Sequence, residues 1–283
     1  MDHDFRPVAR VRPAAPYIGG KKHLAERIAK AIEMVPHVTY AEPFVGMGGV
    51  FFRRRWAPQA EVINDLSHDV ATLFRILQRH YPQFLETLKF QITSRSEFER
   101  LAAVDPDTLT DLERAARFLY LQRTAFGGKV TGRSFGTACG AAGRFDTTKL
   151  GPILEAIHER LAGVVIECLS WREFIPRYDR ADTLFYIDPP YYGSESDYGA
   201  GAFRRTDFAD LVKALAGIEG AFILSINDVP QTRDLFSAFD IEGVTTRYTI
   251  AAGDSAEAKE LIVRGPRLER FARPQDLLSG MQG

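Results

Sequence analysis

The chain has 283 residues, a formal net charge of −1, 45% hydrophobic residues and 26% charged residues. These values predict a globular protein with one large domain, or a core with an insertion, and they exclude a protein that is basic all over. No apolar run is long enough to cross a bilayer, and the first sixteen residues are polar, so we expect a cytoplasmic protein that does not bind membranes. Its two cysteines cannot form a disulfide framework and no Cys/His cluster has zinc spacing, so we expect no metal.

The first eighty residues alternate between helix and strand patterns. Leu24, Ile28 and Ile32 follow a helical period, and short β-rich runs come after them. In chain order we predict a helix at 22–32, a strand at 38–44, a Gly-rich turn at 46–49, a helix at 50–56, a strand at 61–63, and a helix capped by Ser67 with Val70, Leu73, Phe74 and Leu77 on its core face. This order predicts a parallel sheet with right-handed crossovers.

The pattern changes at about residue 81, after which helical stretches continue to about 126 and lead into a basic, Gly-rich loop. We predict a helix from Thr110 to Arg123, a helix at 150–161, strands at 164–169, 184–187 and 222–226, a helix marked by Phe208, Leu211, Val212 and Leu215, and an antiparallel hairpin of 244–250 with 260–263. The predicted fold is therefore α/β, with a Rossmann-like doubly wound, mostly parallel sheet and an antiparallel terminal hairpin. Its domains are a core at 12–80 and 151–265, a helical insertion at 81–150 and a polar tail at 266–283.

The most informative motif is Asp188-Pro189-Pro190-Tyr191, which follows the apolar run 183–187. The prolines end the strand because they cannot donate to a ladder, so Asp188 lies at the carboxyl end of the sheet, where ligands bind in such folds. Asp188 and the Pro189 carbonyl can each accept one N–H of an exocyclic amine, and Tyr191 can stack on its ring. We therefore expect a catalytic site here.

A second motif, Glu42 to Gly49, places three glycines in a strand–turn–helix context. Asp65 lies nineteen residues after Gly46, at the end of the next strand, where an acid commonly binds ribose hydroxyls. Because the turn lacks the third glycine of the GxGxxG pattern, it favours an adenosine cofactor without phosphates over a pyrophosphate cofactor.

Basic residues cluster in two other places. From Arg114 to Lys149 there are seven basic residues and one acid, which is compatible with either a surface that contacts a polyanion or a solvated loop. The run Arg53-Arg54-Arg55 would point in three directions on a helix, so we expect a solvated face there.

Six stretches together resemble the Dam-like, alpha-group N6-adenine DNA methyltransferases: PYIGGK (16–21), AEPFVGMGG (41–49), VIND (62–65), RTAFGGK (123–129), DPPYYG (188–193) and LSIND (224–228). Their order is also similar to that of the family, and the resemblance spans about residues 12–264. The DPPY tetrad and the Phe-Val-Gly-x-Gly turn are its specific parts.

The resemblance implies S-adenosylmethionine as the methyl donor and double-stranded DNA as the partner, and we expect a monomer. The implied catalytic residues are Asp188, Pro189 and Tyr191. The implied cofactor-binding residues are Tyr17, Lys21, Phe44, Gly46, Asp65, Ser170 and Asp188. The insertion at 81–150 would recognise the target, with Arg123, Lys129 and Arg133 as DNA contacts.

The sequence departs from the resemblance in three places. In RTAFGGK (123–129) it has glycine where relatives often have asparagine, so the target specificity of relatives cannot be carried over. Many relatives end the strand before the tetrad with an acid that meets the cofactor's adenine, whereas this chain has Ser170 and then Trp171, which either packs on a purine or belongs to the core. The loop at 251–257 carries two acids where relatives often carry basic or polar DNA-contacting residues.

Other activities are compatible with an acceptor site of this kind. They are methylation of cytosine N4 in DNA, of adenine in RNA, or of a protein glutamine, although the last usually has Asn in place of Asp188. A catalytically silent DNA-binding module of the same fold is a further alternative. A nicotinamide dehydrogenase is the weakest, since the third glycine and a hydride-transfer partner are missing.

Overall fold

The computed structural model describes residues 5–17, 24–137, 140, 142–199, 201, 203–249 and 255–268. The strands are β1 Arg6–Pro7, β2 Thr39–Glu42, β3 Trp56–Ala57, β4 Ala60–Asn64, β5 Val165–Glu167, β6 Thr183–Ile187, β7 Ala221–Asn227, β8 Asp240–Thr249 and β9 Ser255–Arg264. The helices are α1 Ala25–Glu33, α2 His68–Arg79, α3 Tyr81–Leu88, α4 Arg95–Ala103, α5 Asp111–Thr124, α6 Thr147–Arg160, α7 Trp171–Tyr178, α8 Asp207–Gly217 and α9 Pro230–Leu235. None of these helices is both long and apolar enough to span a bilayer.

The main sheet has seven strands in the order β5-β4-β2-β6-β7-β9-β8. Strands β5, β4, β2, β6 and β7 are parallel, while β9 runs antiparallel to both β7 and β8. The chain fills the sheet outward from β2 to β4 and β5, and then returns to β6 on the other side of β2. The order therefore reverses between β2 and β6, and ligands bind at such a reversal in open α/β sheets.

Helices cover both faces of the sheet. Alternate residues of β6 separate, with Leu184 and Tyr186 in one core and Phe185 and Ile187 in the other, as expected when side chains alternate along a strand. Helices α1, α2, α5 and α6 pack in the first core, and α7 and α8 pack in the second. The α/β fold with a mostly parallel sheet and the predicted antiparallel hairpin are thereby confirmed.

The prediction of a helix at 50–56 is wrong. The chain forms a short 3-10 turn at Phe51–Arg53 and then pairs Trp56–Ala57 with β1. Arg54 leaves the helical conformation with φ −64° and ψ 145° because its side chain is directed into the protein. The helices α7 and α9 were missed, since both are short and Pro176 interrupts the helical pattern of α7.

The two predicted helix caps have different outcomes. Thr110 forms a capping box with Glu113 at the start of α5, so this prediction is confirmed. Ser67 occupies the residue before α2, but within the described chain its side chain makes no cap hydrogen bond, and its N–H instead donates to Asp65 Oδ1 at 2.9 Å.

The interpretation of Arg53-Arg54-Arg55 as a solvated face is wrong for Arg54, which is 0% exposed. Its guanidinium donates to Glu61 and lies 3.6 Å from the ring centroid of Tyr40. Arg160 donates to both Glu61 oxygens at 2.7 Å, so one buried carboxylate on β4 joins two arginines. These arginines lower the pKa of Glu61 despite its burial, which by itself raises that pKa.

We expect Arg54→Met to lower the free energy of unfolding by about 3 kcal/mol, because it removes one partner of a buried ion pair. Arg55→Met is the matched control: the neighbouring side chain is exposed and its ion pair with Glu26 spans 3.9 Å, so the change should stay within about 0.5 kcal/mol. Urea unfolding followed by circular dichroism measures both. Equal midpoints for the two variants would show that the Arg54–Glu61 pair does not stabilise the fold.

Candidate active site at the switch point of the sheet

Three carboxyl groups lie at the carboxyl ends of neighbouring strands. Glu42 is the last residue of β2, Asp65 follows β4, and Asp188 follows β6. Because the strand order reverses between β2 and β6, Glu42 and Asp188 flank the switch point. The structure thus brings the tetrad and the glycine turn to the ends of neighbouring strands.

The glycine turn after β2 is held by the end of β4. Val45 N–H donates to the Asn64 carbonyl at 2.9 Å, and Gly46 N–H donates to Asp65 Oδ2 at 2.9 Å. Gly46 has φ +51°, and a Cβ added there would lie 3.1 Å from the ring of Tyr17. Glycine is therefore needed both for the backbone conformation and for the approach of the Tyr17 ring.

Asp65 is half-buried and accepts two backbone N–H groups, from Gly46 and Ser67. Burial raises its pKa to about 6 against these two hydrogen bonds, which lower it. The side chain is thus in place to accept further hydrogen bonds once ionised, as the predicted contact to ribose hydroxyls requires. That contact stays a prediction.

The site-residue prediction did not include Glu42. Its side chain is 2% exposed and accepts a hydrogen bond from the Tyr40 hydroxyl at 2.6 Å. Burial, with the charges of Asp188 and Asp65, raises its pKa to about 8, against the Tyr40 hydrogen bond and the charge of Arg54, which lower it. Its position directly before Pro43, at a strand end, was the signal that could have identified it.

Asp188 is half-buried and accepts a hydrogen bond from the Ser225 hydroxyl at 3.2 Å. Ser225 in turn shares a hydrogen bond of 2.8 Å with Tyr186, two residues before Asp188 on β6. The carboxylate is therefore oriented by a side chain of the neighbouring strand β7.

Side chains of β7 and β9 hold Tyr191, the last residue of the tetrad, and Tyr192, which follows it. The Tyr191 hydroxyl donates to Glu260 Oε1 at 3.0 Å. Asn227 accepts from Tyr192 N–H at 2.8 Å and donates to the Tyr192 carbonyl at 3.0 Å. The site-residue prediction missed Ser225, Asn227 and Glu260, although LSIND was part of the resemblance.

Phe44 and Ser170 lie on either side of this edge. The Phe44 ring meets the buried Phe203 ring edge-on at a centroid distance of 5.9 Å, so the turn after β2 packs against the loop that follows the tetrad. The Ser170 hydroxyl donates to Glu173 at 2.7 Å in the first turn of α7. Ser170 retains lone pairs for an additional donor, and its predicted contact with the cofactor stays a prediction.

Trp171 belongs to the core, as one of the two interpretations predicted. It is 7% exposed and packs in the cluster beneath α7 and α8. Arg172 lies 4.2 Å from its ring centroid. Lys21 and the loop residues 251–254 lie outside the described residues.

The three residues predicted to contact DNA differ in the contacts that they make within the protein. Arg123 donates to the Ala14 carbonyl at 2.5 Å, and burial lowers its pKa. Arg133 donates to the Lys129 carbonyl at 3.1 Å and to Gln122 at 3.3 Å. Lys129 is exposed. The two arginines hold the loop to the rest of the protein, whereas the Lys129 side chain is directed to solvent.

Comparison with known proteins decides the family. Residues 17–250 match the family described as D12 class N6 adenine-specific DNA methyltransferase. The chain belongs to this family. Its activity is therefore site-specific methylation of adenine N6 in DNA, which excludes the dehydrogenase and favours adenine in DNA over the other amines.

Relatives of the methyltransferase cover nearly all of its length. The type II methyltransferase M1.LlaDCHI of Lactococcus lactis subsp. cremoris is 27% identical over 275 residues, or 89% of this chain and 95% of the relative. The type II methyltransferase M.CviBI of Paramecium bursaria Chlorella virus NC1A is 20% identical and covers 90% and 99%. The DNA N-6-adenine-methyltransferase of Escherichia phage P1 is 27% identical over 87% of this chain and 35% of the relative.

The chain also aligns with one solved structure, a precorrin 8W decarboxylase from Methanobacterium thermoautotrophicum. The alignment covers 91% of this chain and 96% of the decarboxylase. Its TM-score is 0.39 and its identity 9%, values too low to support any argument.

Membership of the family implies S-adenosylmethionine as the methyl donor, and the residues at the switch point fit it. The donors to Glu42 and Asp65 are neutral groups, a tyrosine hydroxyl and backbone N–H groups. Carboxyl groups held in this way favour a ligand with positive charge, such as a sulfonium and an ammonium. Among the described residues, no group of three or more His, Cys, Asp or Glu could hold a metal ion.

We expect Gly46→Ala to weaken S-adenosylmethionine binding at least about tenfold, because the left-handed conformation penalises a side chain by about 1–2 kcal/mol and the new methyl group would push Tyr17 away. Gly163→Ala is the matched control, since Gly163 has φ +77° and nothing within 4 Å of an added Cβ. It should bind with unchanged affinity in a calorimetric titration. Wild-type affinity of the Gly46 variant would mean that the cofactor does not bind at this turn.

Proposed function

We propose that Asp188 and the Pro189 carbonyl accept the two N6 hydrogens of an adenine extruded from double-stranded DNA. The observation that carries this proposal is the position of Asp188 at the switch point, across from Glu42 and beside the glycine turn. An acceptor at this place faces the edge where the cofactor of such a fold binds.

The chemistry explains why acceptors are needed. Adenine N6 is a weak nucleophile because its lone pair conjugates with the ring. A carboxylate and a carbonyl that accept both hydrogens favour a pyramidal nitrogen and offset the positive charge that develops on it. Proline at 189 has no N–H, so the segment offers acceptors without a competing donor.

Asp188 has the fixed orientation that this role requires. The Ser225 hydroxyl donates to one of its oxygens, so the carboxylate does not have to reorganise when the amine arrives. Bound S-adenosylmethionine supplies a methyl group on a positively charged sulfur. Because N6 gains positive charge, we infer that the excess proton leaves to Asp188 or to solvent.

Tyr191 follows the acceptors directly and provides an aromatic face. A base inside duplex DNA cannot reach a pocket of this kind, so enzymes of this class of chemistry extrude it and stack it on aromatic side chains. In the proposed function the Tyr191 ring is that stacking surface.

The cofactor-binding residues are assigned from their place around the glycine turn. Gly46 and Phe44 would shape the pocket, Tyr17 would pack beside it, and Asp65 would accept the ribose hydroxyls. Ser170, Asp188 and Lys21 complete the proposed set. Support comes from the contact between Gly46 and Tyr17 and from the hydrogen bond between Gly46 and Asp65.

The segment between β4 and β5 contains the helices α2 to α6, whereas a crossover between parallel strands needs only one helix. We assign 12–80 and 151–265 to the catalytic domain, 81–150 to target recognition and 266–283 to a tail. The exposed Lys129 and the partly covered Arg123 and Arg133 belong to the recognition segment, which contacts phosphates through basic groups.

The order of motifs, with the recognition segment between the glycine turn and the tetrad, supports the Dam-like alpha group within the family. The relatives from Lactococcus lactis and from the Chlorella virus both carry the name type II methyltransferase, so we propose that this enzyme modifies DNA as part of a restriction-modification pair. We expect it to act as a monomer.

We expect Asp188→Asn to lower the methylation rate at least about 100-fold, because the amide loses the charge and one acceptor position in a preorganised site. Radioactive methyl transfer to plasmid DNA measures the rate, and a digest of the product separates N6-methyladenine from N4-methylcytosine. Asp182→Asn is the control, since Asp182 is exposed just before the opposite end of β6. Near-native rates for the Asp188 variant, with cofactor and DNA still bound, would refute the assignment.

We expect Lys129→Ala to reduce the slope of log K against log salt concentration by about one unit, since one phosphate contact is lost. Lys213→Ala on α8, an exposed lysine outside the recognition segment, should leave the slope unchanged. Fluorescence anisotropy of a labelled duplex at several salt concentrations provides the values. An unchanged slope for Lys129→Ala would remove this residue from the DNA interface.

A further inference from the structure

Polar side chains form a row on one face of β7 and β9, next to the tetrad. Ser225 and Asn227 are two residues apart on β7, so they point to the same face. Glu260 is the cross-strand partner of Asn227 on β9. These three residues contact Asp188, Tyr192 and Tyr191 respectively.

The contacts hold consecutive parts of the tetrad loop. Asn227 donates to and accepts from the backbone of Tyr192, which fixes the chain directly after Tyr191. Glu260 accepts from the hydroxyl at the far end of the Tyr191 ring. The side chain is thus held at its backbone and at its tip, so two neighbouring strands set the position of the ring and the direction of its long axis.

Glu260 is an unexpected residue for this position on packing grounds alone. It is 1% exposed, and the next residues on β9, Leu261 to Val263, are all buried and apolar. Burying a carboxylate is unfavourable unless it is hydrogen-bonded, so an apolar residue would serve the sheet better. The carboxylate accepts the Tyr191 hydroxyl hydrogen bond, which an apolar residue at this position could not do.

We propose that Glu260 is a positioning residue that fixes the Tyr191 ring, through its hydroxyl, as a ready surface for the extruded adenine. The proposal rests on the stacking role of Tyr191 in the proposed function. A ring already fixed before DNA binds loses less conformational freedom when the base stacks, and this favours the extruded state.

Three substitutions separate the hydrogen bond from the bulk of the side chain. Glu260→Leu removes the acceptor and keeps the volume, Glu260→Gln keeps an acceptor, and Tyr191→Phe removes the donor. We expect Glu260→Leu and Tyr191→Phe each to lower the single-turnover methylation rate about fivefold, the effect of freeing one side chain. Glu260→Gln should retain the rate within about twofold.

The double variant decides whether the two residues act as a unit. If Glu260 acts through the Tyr191 hydroxyl, Glu260→Leu combined with Tyr191→Phe will be no slower than either single variant. Cofactor affinity should be unchanged in all of them. Lys259→Leu, an exposed neighbour on the opposite face of β9, is the control for the strand and should keep the wild-type rate.

A wild-type rate for Tyr191→Phe, or additive losses in the double variant, would overturn the proposal, since Glu260 would then be a structural residue. If Glu260→Leu does not fold, Tyr191→Phe and the rescue by Glu260→Gln still test it. Tyr191→Ala tests the underlying role separately. A wild-type rate for that variant would refute the stacking role of Tyr191. If Tyr191→Ala is slow while Tyr191→Phe and Glu260→Leu keep the wild-type rate, only the positioning role of Glu260 is refuted.

Discussion

The side chain of Asn64 is the constraint on which the site depends. It is 1% exposed, donates to the carbonyls of Pro43 and Leu169 at 2.9 Å, and accepts from Leu169 N–H at 2.8 Å. These bonds tie the carboxyl ends of three adjacent strands, β2, β4 and β5. The next residue, Asp65, then binds the glycine turn. Because buried backbone groups must be paired, the edge of the sheet and the turn keep one arrangement.

The buried acids of this protein have two kinds of hydrogen-bond donor, neutral groups at the switch point and arginines elsewhere. At the switch point the carboxyl groups of Glu42 and Asp65 accept from neutral donors, and burial raises the pKa of each. Elsewhere arginines neutralise buried acids, as Arg54 and Arg160 do around Glu61. A carboxyl group with a raised pKa is destabilised as an anion in the folded protein, and a cationic ligand relieves this. The sheet edge therefore favours the binding of a cation, whereas the charge of Glu61 is already neutralised by its two arginines.

The sequence predicted those parts of the site whose chemistry is local. Proline and glycine restrict the backbone conformation locally. The sequence alone therefore predicted the tetrad, the glycine turn, and the strand ends at Asp65 and Asp188. The helix at 50–56 was wrong because Arg54 turns toward Glu61 and Arg160, and Arg160 lies 99 residues from Glu61 in the chain. Glu260 was missed for the same reason, since its role depends on the pairing of β9 with β7.

The polar row beside the tetrad differs sharply from the opposite face of the same strands. Phe185, Ile187 and Leu224 lie on that face and form an apolar core with α7 and α8. On the site face, Tyr186 and Ser225 share a hydrogen bond and Ser225 continues it to Asp188. Tyr186, Ser225 and Asp188 thus form one hydrogen-bonded chain, and loss of the Ser225 hydroxyl would interrupt it. Both faces of the sheet pack in a core, and the site face in addition orients the groups at the reacting edge.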